Sequence, residues 1–326
     1  MVVWLRCLRS RSPRSEVLLL LFIVRRLLAL IPVGLGVVLV VSMLIHLVPG
    51  DPADVALGPY ATEAERLAYK QALGLDQPWQ DQLMGFYGKL LHGDLGQSMI
   101  YHKPVFGLIL SRVPATLSLA LCAMCIALSF SIPLGVISAL RQGRMTDYVA
   151  MGFSLIGIAV PSFWLGPMLV LLFSLELGWL PVSERGGWDS YVLPSVSLGL
   201  ALAAMLSRMT RNSMLDHFRE DYVRTARAKG TRESVVVLKH VLRNAALPLV
   251  TVIGLQFGVL LTGAIITERI FDWPGLGSLI LDGINNRDYP LVQGCVLVFS
   301  FTYLVVNLLT DLAYAFVDPR IRTARS

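Results

Sequence analysis

Charged residues are scarce in this chain. Only 15% of its 326 residues are Asp, Glu, Lys or Arg, whereas 55% are hydrophobic, and the mean hydropathy is +0.65. Soluble globular domains have about 25% charged residues, so the composition excludes an ordinary soluble domain. The apolar residues form blocks, several of which reach the roughly 20 residues that a membrane-spanning helix needs. The sequence therefore predicts an all-α, polytopic membrane protein.

Cysteine is also rare, and four cysteines do not indicate a disulfide framework. Cys122 and Cys125 form a C-x-x-C pair, which is found in redox and metal sites. Both lie in an apolar run without a second pair or a nearby histidine. We therefore expect them to be small hydrophobic residues of a helix, and we predict no metal site.

Sequence motifs for catalysis are missing as well. The chain has no G-x-x-x-x-G-K-[ST] loop, and the glycine-rich GLGSLI after Pro274 lacks the lysine that holds phosphates. No H-E-x-x-H or Ser/His/Asp constellation is present, so we expect no enzyme. No carboxylate falls in the middle third of a predicted span, where an ion-coupled carrier holds its coupling ion. A secondary transporter and a membrane-embedded structural subunit are the weaker alternatives.

Six apolar blocks predict six transmembrane helices. They cover approximately residues 27–47, 115–140, 148–175, 193–209, 247–267 and 291–316. Pro161 lies inside the third block and should kink or break it, because proline removes a helix hydrogen bond. Gly254 and Gly258 in the fifth block predict close helix packing. Residues 48–114 predict a small helical element outside the membrane, between the first two spans.

Basic residues are distributed unequally between the two sides of the predicted membrane. Residues 1–26, 140–147, 208–246 and 317–326 together contain 20 Lys and Arg against 7 Asp and Glu, whereas the alternate segments contain 8 against 14. Loops rich in Lys and Arg remain in the cytoplasm. We therefore predict that the N-terminal segment 1–26, the 208–246 region and the tail 317–326 are cytoplasmic, and that residues 48–114 are periplasmic.

The stretch EDYVRTARAKG, Glu220 to Gly230, is a short polar segment between two apolar blocks. It predicts a helix of about two turns that ends at Gly230, because glycine readily takes the left-handed conformation of a C-terminal cap. One face would carry Tyr222, Thr225, Ala226 and Lys229. The opposite face would carry Arg224, Arg227 and Ala228. A helix this short is marginal in water, so we expect it to dock onto another protein; a solvated basic connector is the alternative.

Motifs along nearly the whole chain resemble those of one family, in the same order. They are RRLLALIPVGLGV, HLVPGDPA, LGLDQPWQDQ, GDLGQS, RMTRNSML, FDWPGLG, RDYPLVQG and VDPRIR. EDYVRTARAKGTRESVVVLKHVLRNAALPLVT resembles the cytoplasmic signature of ABC-importer permeases, in the long form of the dipeptide, oligopeptide and nickel branch. Its glycine is Gly230 and its Leu-Pro is Leu247-Pro248, while Thr225-Ala226 replace the leading Glu of the short form. Within that branch, LLFSLELGWLPVS and the compact loop before Val192 most resemble dipeptide and glutathione permeases.

The resemblance implies a type I ABC importer permease of the bacterial inner membrane that transports dipeptides or short peptides. Glutathione and nickel are the alternative cargoes. It also implies four kinds of partner: a second homologous permease, two cytoplasmic ATPases that bind ATP and Mg, an extracytoplasmic peptide-binding protein, and membrane lipid. This chain itself would bind no cofactor. The implied ATPase-coupling residues are Glu220, Asp221, Tyr222, Arg224, Thr225, Ala226, Arg227, Ala228, Lys229 and Gly230.

Two further expectations concern individual side chains. We expect Arg224, Arg227, Lys229 and Arg232 to pair with acidic residues on the rim of an ATPase. The candidate translocation-path residues are Gln256, Trp273 and Pro274. Gln256 lies between two glycines of a span, and the Trp-Pro pair belongs to the FDWPGLG loop on the outer side. An interfacial membrane anchor is the alternative role for Trp273.

Overall fold

The computed structural model describes residues 13–47, 57–58, 61–73, 76–182 and 186–317. Within these ranges all regular secondary structure is helical, apart from one isolated antiparallel bridge between Gln97 and Pro104. The all-α prediction is confirmed. Residues 1–12 of the predicted N-terminal segment and 318–326 of the predicted tail lie outside the described residues, as do most of the HLVPGDPA and VDPRIR motifs.

Three helices precede the second predicted span. They are α1, Pro13–Leu47; α2, Glu63–Leu73; and α3, Trp79–Leu91. A capping box starts α2, since the Thr62 amide donates to Glu65 Oε2 at 2.8 Å and the Glu65 amide donates to Thr62 Oγ1 at 3.4 Å. The hydroxyl of Tyr87 in α3 donates to the Leu35 carbonyl of α1 at 2.7 Å. The segment between the first two spans thus contains helices and packs against α1.

Four helices form the middle of the chain. They are α4, Val105–Leu140; α5, Met145–Ala159; α6, Ser162–Leu169, which a π-helical turn Val170–Glu176 extends; and α7, Val192–Phe218. The axis bends by 101° between α5 and α6. Val160 is extended there because a residue before proline disfavours the helical conformation. The predicted break at Pro161 is confirmed.

The last third of the chain begins with a short helix. The elements are α8, Asp221–Ala228; a helical turn Glu233–Val235 that continues through the π-helical Val236–Val241 into α9, Leu242–Ile270; α10, Leu276–Asn285; and α11, Tyr289–Val317. A 3-10 turn, Trp188–Tyr191, leads into α7.

Five helices in the described part of the chain are long and apolar enough to cross a membrane, and the bent α5–α6 pair makes six if it counts as one span. Several helices extend beyond the predicted spans. The second begins at Val105 rather than Ala115, and the fourth ends at Phe218 rather than near Met209. An α-helix satisfies its own backbone hydrogen bonds in lipid and in water alike. Hydrophobicity therefore predicts the span and not the end of the helix.

The helix α7 lies at the centre of the fold, against α4 and α5. A Cβ on Gly199 of α7 would lie 2.7 Å from the Ala123 carbonyl oxygen of α4, so the two backbones approach closely. Gly254 and Gly258 of α9 pack likewise against Thr310 and Tyr303 of α11. The predicted close packing at these two glycines is confirmed. Cys122 and Cys125 lie in α4 as free thiols, as expected.

Candidate coupling site and translocation face

The predicted short helix is present as α8, which spans eight residues and ends with a glycine cap. Gly230 has a φ of +74°. Its amide donates to the Arg227 carbonyl at 2.9 Å, and the Thr231 amide donates to the Ala226 carbonyl at 3.2 Å. This pair of bonds is the Schellman motif, which satisfies carbonyls at a helix end. The sequence prediction of both the helix and its stop is confirmed.

One face of α8 is buried in its own chain. Val223 is 0% exposed and Ala226 is 8% exposed. Their cluster also contains Ala139, Met214, Val236, Val237, Val241 and Ala245. Of the residues predicted to share one face, Ala226 is buried and Tyr222 is half-buried, whereas Thr225 and Lys229 are exposed. The main anchor, Val223, was not among the residues that the prediction assigned to either face. The expectation that α8 needs a second protein to be stable is also wrong, since packing against its own chain supplies that support.

Arg227 is engaged within the chain. Its Nη2 donates to Glu233 Oε1 at 2.6 Å and its Nε donates to Glu233 Oε2 at 3.2 Å. The guanidinium also lies 5.7 Å from the ring centroid of Phe218. The hydrogen bonds to Glu233 raise the pKa of Arg227 above its ordinary value. This pair holds α8 against the next segment, so Arg227 is less available to an ATPase than the sequence suggested.

The opposite face of α8 points away from the chain. The residues of this α8 outer face are Asp221, Arg224, Thr225, Ala228 and Lys229, all exposed. The side chains of Arg224 and Asp221 are 75% and 96% exposed, and their charged atoms are 3.7 Å apart. Glu220, Gly230 and Arg232 beside the helix are exposed as well. The outer face thus combines charges of both signs with small side chains, on a helix that its inner face fixes in place.

A buried ion pair lies close to α8. Arg211 Nε and Nη2 donate to the two oxygens of Asp147 at 2.7 and 2.8 Å, and Ser138 Oγ donates to Asp147 Oδ1 at 2.5 Å. The Gly143 amide donates to Asp147 Oδ2 at 3.0 Å. Asp147 is 2% exposed. The group joins the end of α4, the next loop, the start of α5 and α7, and the sequence analysis did not identify it.

A second buried carboxylate lies near the other end of the helices. Thr116 Oγ1 donates to Glu268 Oε1 at 2.6 Å, and the Ser278 amide donates to Glu268 Oε2 at 3.0 Å. The Leu276 amide in turn donates to Thr116 Oγ1 at 2.8 Å. Burial raises the pKa of Glu268. The loop FDWPGLG is therefore folded around Glu268, which the sequence analysis also missed.

Trp273 of this loop is a core residue. It is 1% exposed, its Nε1 donates to the Ala115 carbonyl at 3.0 Å, and its ring stands edge-on to Tyr191 with centroids 4.6 Å apart. The indole has no surface from which to contact cargo or lipid in this conformation, in contrast to both predicted roles. Pro274 is half-buried.

Gln256 occupies a different place, on the side of α9 that meets α7. It is half-buried, and its Nε2 lies 3.4 Å from Met205 Sδ. The structure therefore does not bring Gln256 together with the Trp273-Pro274 loop. Its role in a translocation path remains a prediction.

Long apolar helices packed around a central one, with a short capped helix on a polar loop, define a polytopic helical membrane protein. The fold is similar to that of the MetNI methionine ABC transporter in inward-facing conformations. In one crystal form the TM-score is 0.53 at 16% identity, over 65% of this chain and 96% of that one; in another it is 0.53 at 17%. The predicted type I ABC importer permease fold is confirmed.

The family follows from the sequence comparisons. Residues 131–323 match the binding-protein-dependent transport system inner membrane component, and residues 19–120 match the N-terminal part of such membrane components. The chain belongs to this family, and it is an ABC importer permease of the dipeptide and glutathione type. The resemblance seen in the motifs is confirmed.

Curated relatives agree with this family. The chain is 46% identical to the glutathione transport system permease protein GsiC of Pectobacterium atrosepticum over 301 residues, which cover 92% of this chain and 98% of the relative. The same protein of Salmonella choleraesuis is 45% identical, and that of Escherichia coli K12 is 44% identical, with the same coverage.

Proposed function

We propose that this permease is one half of a heterodimeric translocation path for short peptides, glutathione included. ATP hydrolysis by two cytoplasmic ATPases would drive transport. An extracytoplasmic binding protein would deliver the cargo, and both termini would lie in the cytoplasm. ATP and Mg would bind to the ATPases, and this chain would hold no cofactor.

The observation that carries this proposal is the two-sided construction of α8. Its inner face is packed into the chain through Val223 and Ala226, and its outer face exposes Arg224 among small and charged side chains. A rigid helix with one free face can transmit a displacement, because force on the outer face acts on the packed core behind it. We therefore assign ATPase docking to the α8 outer face, and we regard Arg227 as part of its internal support.

The choice of cargo rests on the relatives. The three GsiC proteins are named for glutathione transport, at 44–46% identity. We therefore propose glutathione and dipeptides as equally supported cargoes. Nothing in these relatives' names favours nickel. Both peptide cargoes are small and zwitterionic or anionic, so they present free carboxylates to the path.

An ion-coupled carrier receives less support. Family membership argues against it, and the three buried carboxylates of the described residues, Asp147, Glu268 and Asp288, are already bonded. Asp147 accepts hydrogen bonds from Arg211, Ser138 and the Gly143 amide. Glu268 accepts from Thr116 and the Ser278 amide. Asp288 accepts from Ser98 and the Ile100 amide. None of the three carboxylates is open to hold a coupling ion.

Reconstitution tests the function directly. The chain would be purified with the second permease, the ATPases and the binding protein encoded beside it, and placed in proteoliposomes. We expect vanadate-sensitive uptake of labelled glutathione or dipeptide that requires ATP. Uptake that continues without the ATPases and follows an ion gradient would contradict the proposal. Competition between glutathione and a dipeptide for the binding protein then decides the cargo.

A further inference from the structure

The central helix α7 exposes a single narrow strip. Its exposed residues in Val192–Phe218 are Met205, Arg208, Asn212 and Asp216. At 3.6 residues per turn these four positions fall within an arc of about 80°. We call them the α7 polar strip. Three of the four side chains are polar or charged, although the helix belongs to a candidate span.

The strip differs from the other exposed surfaces at the depth of the spans. Large exposed side chains on α4 and α11, such as Phe130, Val305 and Leu309, are apolar and suit lipid. Of the most apolar 18 residues in the α7 span, 61% are buried, against 17–33% in the other four candidate spans. The fully exposed positions of this innermost helix are therefore confined to one strip, and its polar members begin at Arg208 and continue beyond the predicted span 193–209.

Arg208 is the charged residue of the strip that lies deepest. It lies at the cytoplasmic end of the predicted fourth span, 193–209. In the described part of the chain its guanidinium has no ion pair or hydrogen bond, whereas the neighbouring Arg211 is held by Asp147. An unpaired guanidinium at the inner end of a span faces water, a partner or a ligand, because its exposure to lipid is costly.

Gln256 adds a second donor next to the strip. Its Nε2 lies 3.4 Å from the Sδ of Met205, one turn before Arg208, and its Oε1 has no partner among the described residues. An amide whose hydrogen-bond partner is a thioether is set for water or a ligand. Asp216 does not neutralise the site, because it lies eight residues, about 12 Å, beyond Arg208.

We propose that Arg208 binds a carboxylate of the peptide cargo at the inner part of the path, and that Gln256 donates to an adjacent carbonyl of the cargo. A guanidinium presents a planar set of N–H donors that matches a carboxylate. The assignment rests on the proposed function and gives its path a substrate class: peptides with a free carboxylate. It also places Gln256 beside the α7 polar strip rather than with the outer loop.

The test uses the complete transporter in proteoliposomes, with labelled glutathione as the probe. Arg208→Gln should lower ATP-dependent uptake at least tenfold, Arg208→Lys should lower it about threefold, and Arg208→Glu should lower it at least as far as Gln. Assembly with the other subunits, and ATP hydrolysis stimulated by the loaded binding protein, should stay within twofold of wild type. Arg243→Gln, at an exposed arginine near the start of α9, is the matched control and should leave all three readouts within twofold.

Four outcomes decide between the explanations. Uptake by Arg208→Gln within twofold of wild type overturns the assignment. Loss of copurification with the second permease also overturns it, because Arg208 would then be an interface residue. A defect confined to vesicles with anionic lipid overturns it in favour of a phosphate headgroup, since the proposal expects the same defect in phosphatidylcholine. If the wild type itself transports neither glutathione nor a dipeptide, the proposed function fails first.

Discussion

Arg211 donates two parallel hydrogen bonds to Asp147, from Nε to Oδ1 at 2.7 Å and from Nη2 to Oδ2 at 2.8 Å. The pair joins the first turn of α5 to α7, and α7 ends at Phe218, just before α8. Met214, one turn beyond Arg211, belongs to the cluster that buries Val223. If an ATPase moves α8 as proposed, the ion pair extends the rigid body from α8 to α4 and α5.

Breaking this pair should destabilise the protein. In Asp147→Asn the mostly buried Arg211 charge loses its counter-ion, and such a loss costs roughly 3–5 kcal/mol in buried pairs. We expect a clearly lower Tm in detergent, followed by tryptophan fluorescence. Asp216→Asn, an exposed carboxylate on the same helix as Arg211, should leave the Tm unchanged. The double variant Asp147→Asn with Arg211→Gln should lose less stability than the sum of the losses in the two single variants. A strictly additive loss would argue against an interaction between the two residues.

Substitutions on the two faces of α8 should have different effects on the stability of the protein and on its binding to the ATPases. Arg224→Glu changes an exposed charge on the outer face, so the Tm should stay within about 1–2 °C of wild type, on the order of surface substitutions. Copurification of the ATPases should nevertheless fall at least fivefold. Val223→Asp places a charge in the buried face, and it should lower both the Tm and the ATPase yield. If Arg224→Glu binds the ATPases as well as wild type, the outer face does not dock them through this arginine.

The Arg227–Glu233 pair can be tested by exchanging the two charged residues. Both side chains are about half exposed, so the pair contributes only about 0.2–1 kcal/mol. Arg227→Glu should therefore lower the Tm slightly and loosen α8, with faster amide hydrogen exchange at 221–228. The double variant Arg227→Glu with Glu233→Arg should restore slow exchange and ATPase binding. A double variant as impaired as the single one would mean that Arg227 contacts the ATPase after all.

Local rules explain which parts of the coupling site could be predicted from the sequence. The extent of α8 and its stop at Gly230 depend on neighbouring residues, and the break at Pro161 follows from one ring. The buried face of α8 depends on Val236 and Val241, which belong to the next helical segment, and on Met214 of α7. The sequence therefore predicts the helix and its stop, but it does not identify Val223 as the buried anchor.

Tertiary pairing explains what the sequence could not show. Asp147 and Arg211 are 64 residues apart, and Thr116 and Glu268 are 152 apart. The charged residues Asp147, Arg211 and Glu268 lie near the ends of spans, where a charge obeys topology rules and needs no partner. Similarly, Trp273 follows an exposed Asp272 and resembles an interfacial anchor, and only the fold shows that its indole reaches Ala115.

Glu268 should make stability depend on pH. Burial raises its pKa in the folded protein above 4.5, so the folded state binds the proton more tightly than the unfolded state does. That contribution is fully present below pH 4.5 and is lost as the pH rises through the folded pKa. The Tm of wild type relative to Glu268→Gln should fall across this window and then level off. Glu63→Gln, an exposed carboxylate of α2, should follow wild type; a pH-independent difference for Glu268→Gln would show that the pKa is not raised.

Two glycines in long helices should respond oppositely to the same substitution. A Cβ at Gly199 would lie 2.7 Å from the Ala123 carbonyl oxygen, and a backbone atom cannot move aside as a flexible side chain can. Gly199→Ala should therefore separate α7 from α4 and cost roughly 1–3 kcal/mol, with a lower Tm. At Gly107 of α4, no neighbouring group in the described part of the chain comes within 4 Å of the place that a Cβ would take. Gly107→Ala should therefore gain about 0.5–1 kcal/mol from helix propensity. Helix propensity alone favours alanine over glycine at both sites. Equal Tm changes in the two variants would therefore contradict the close contact between α4 and α7.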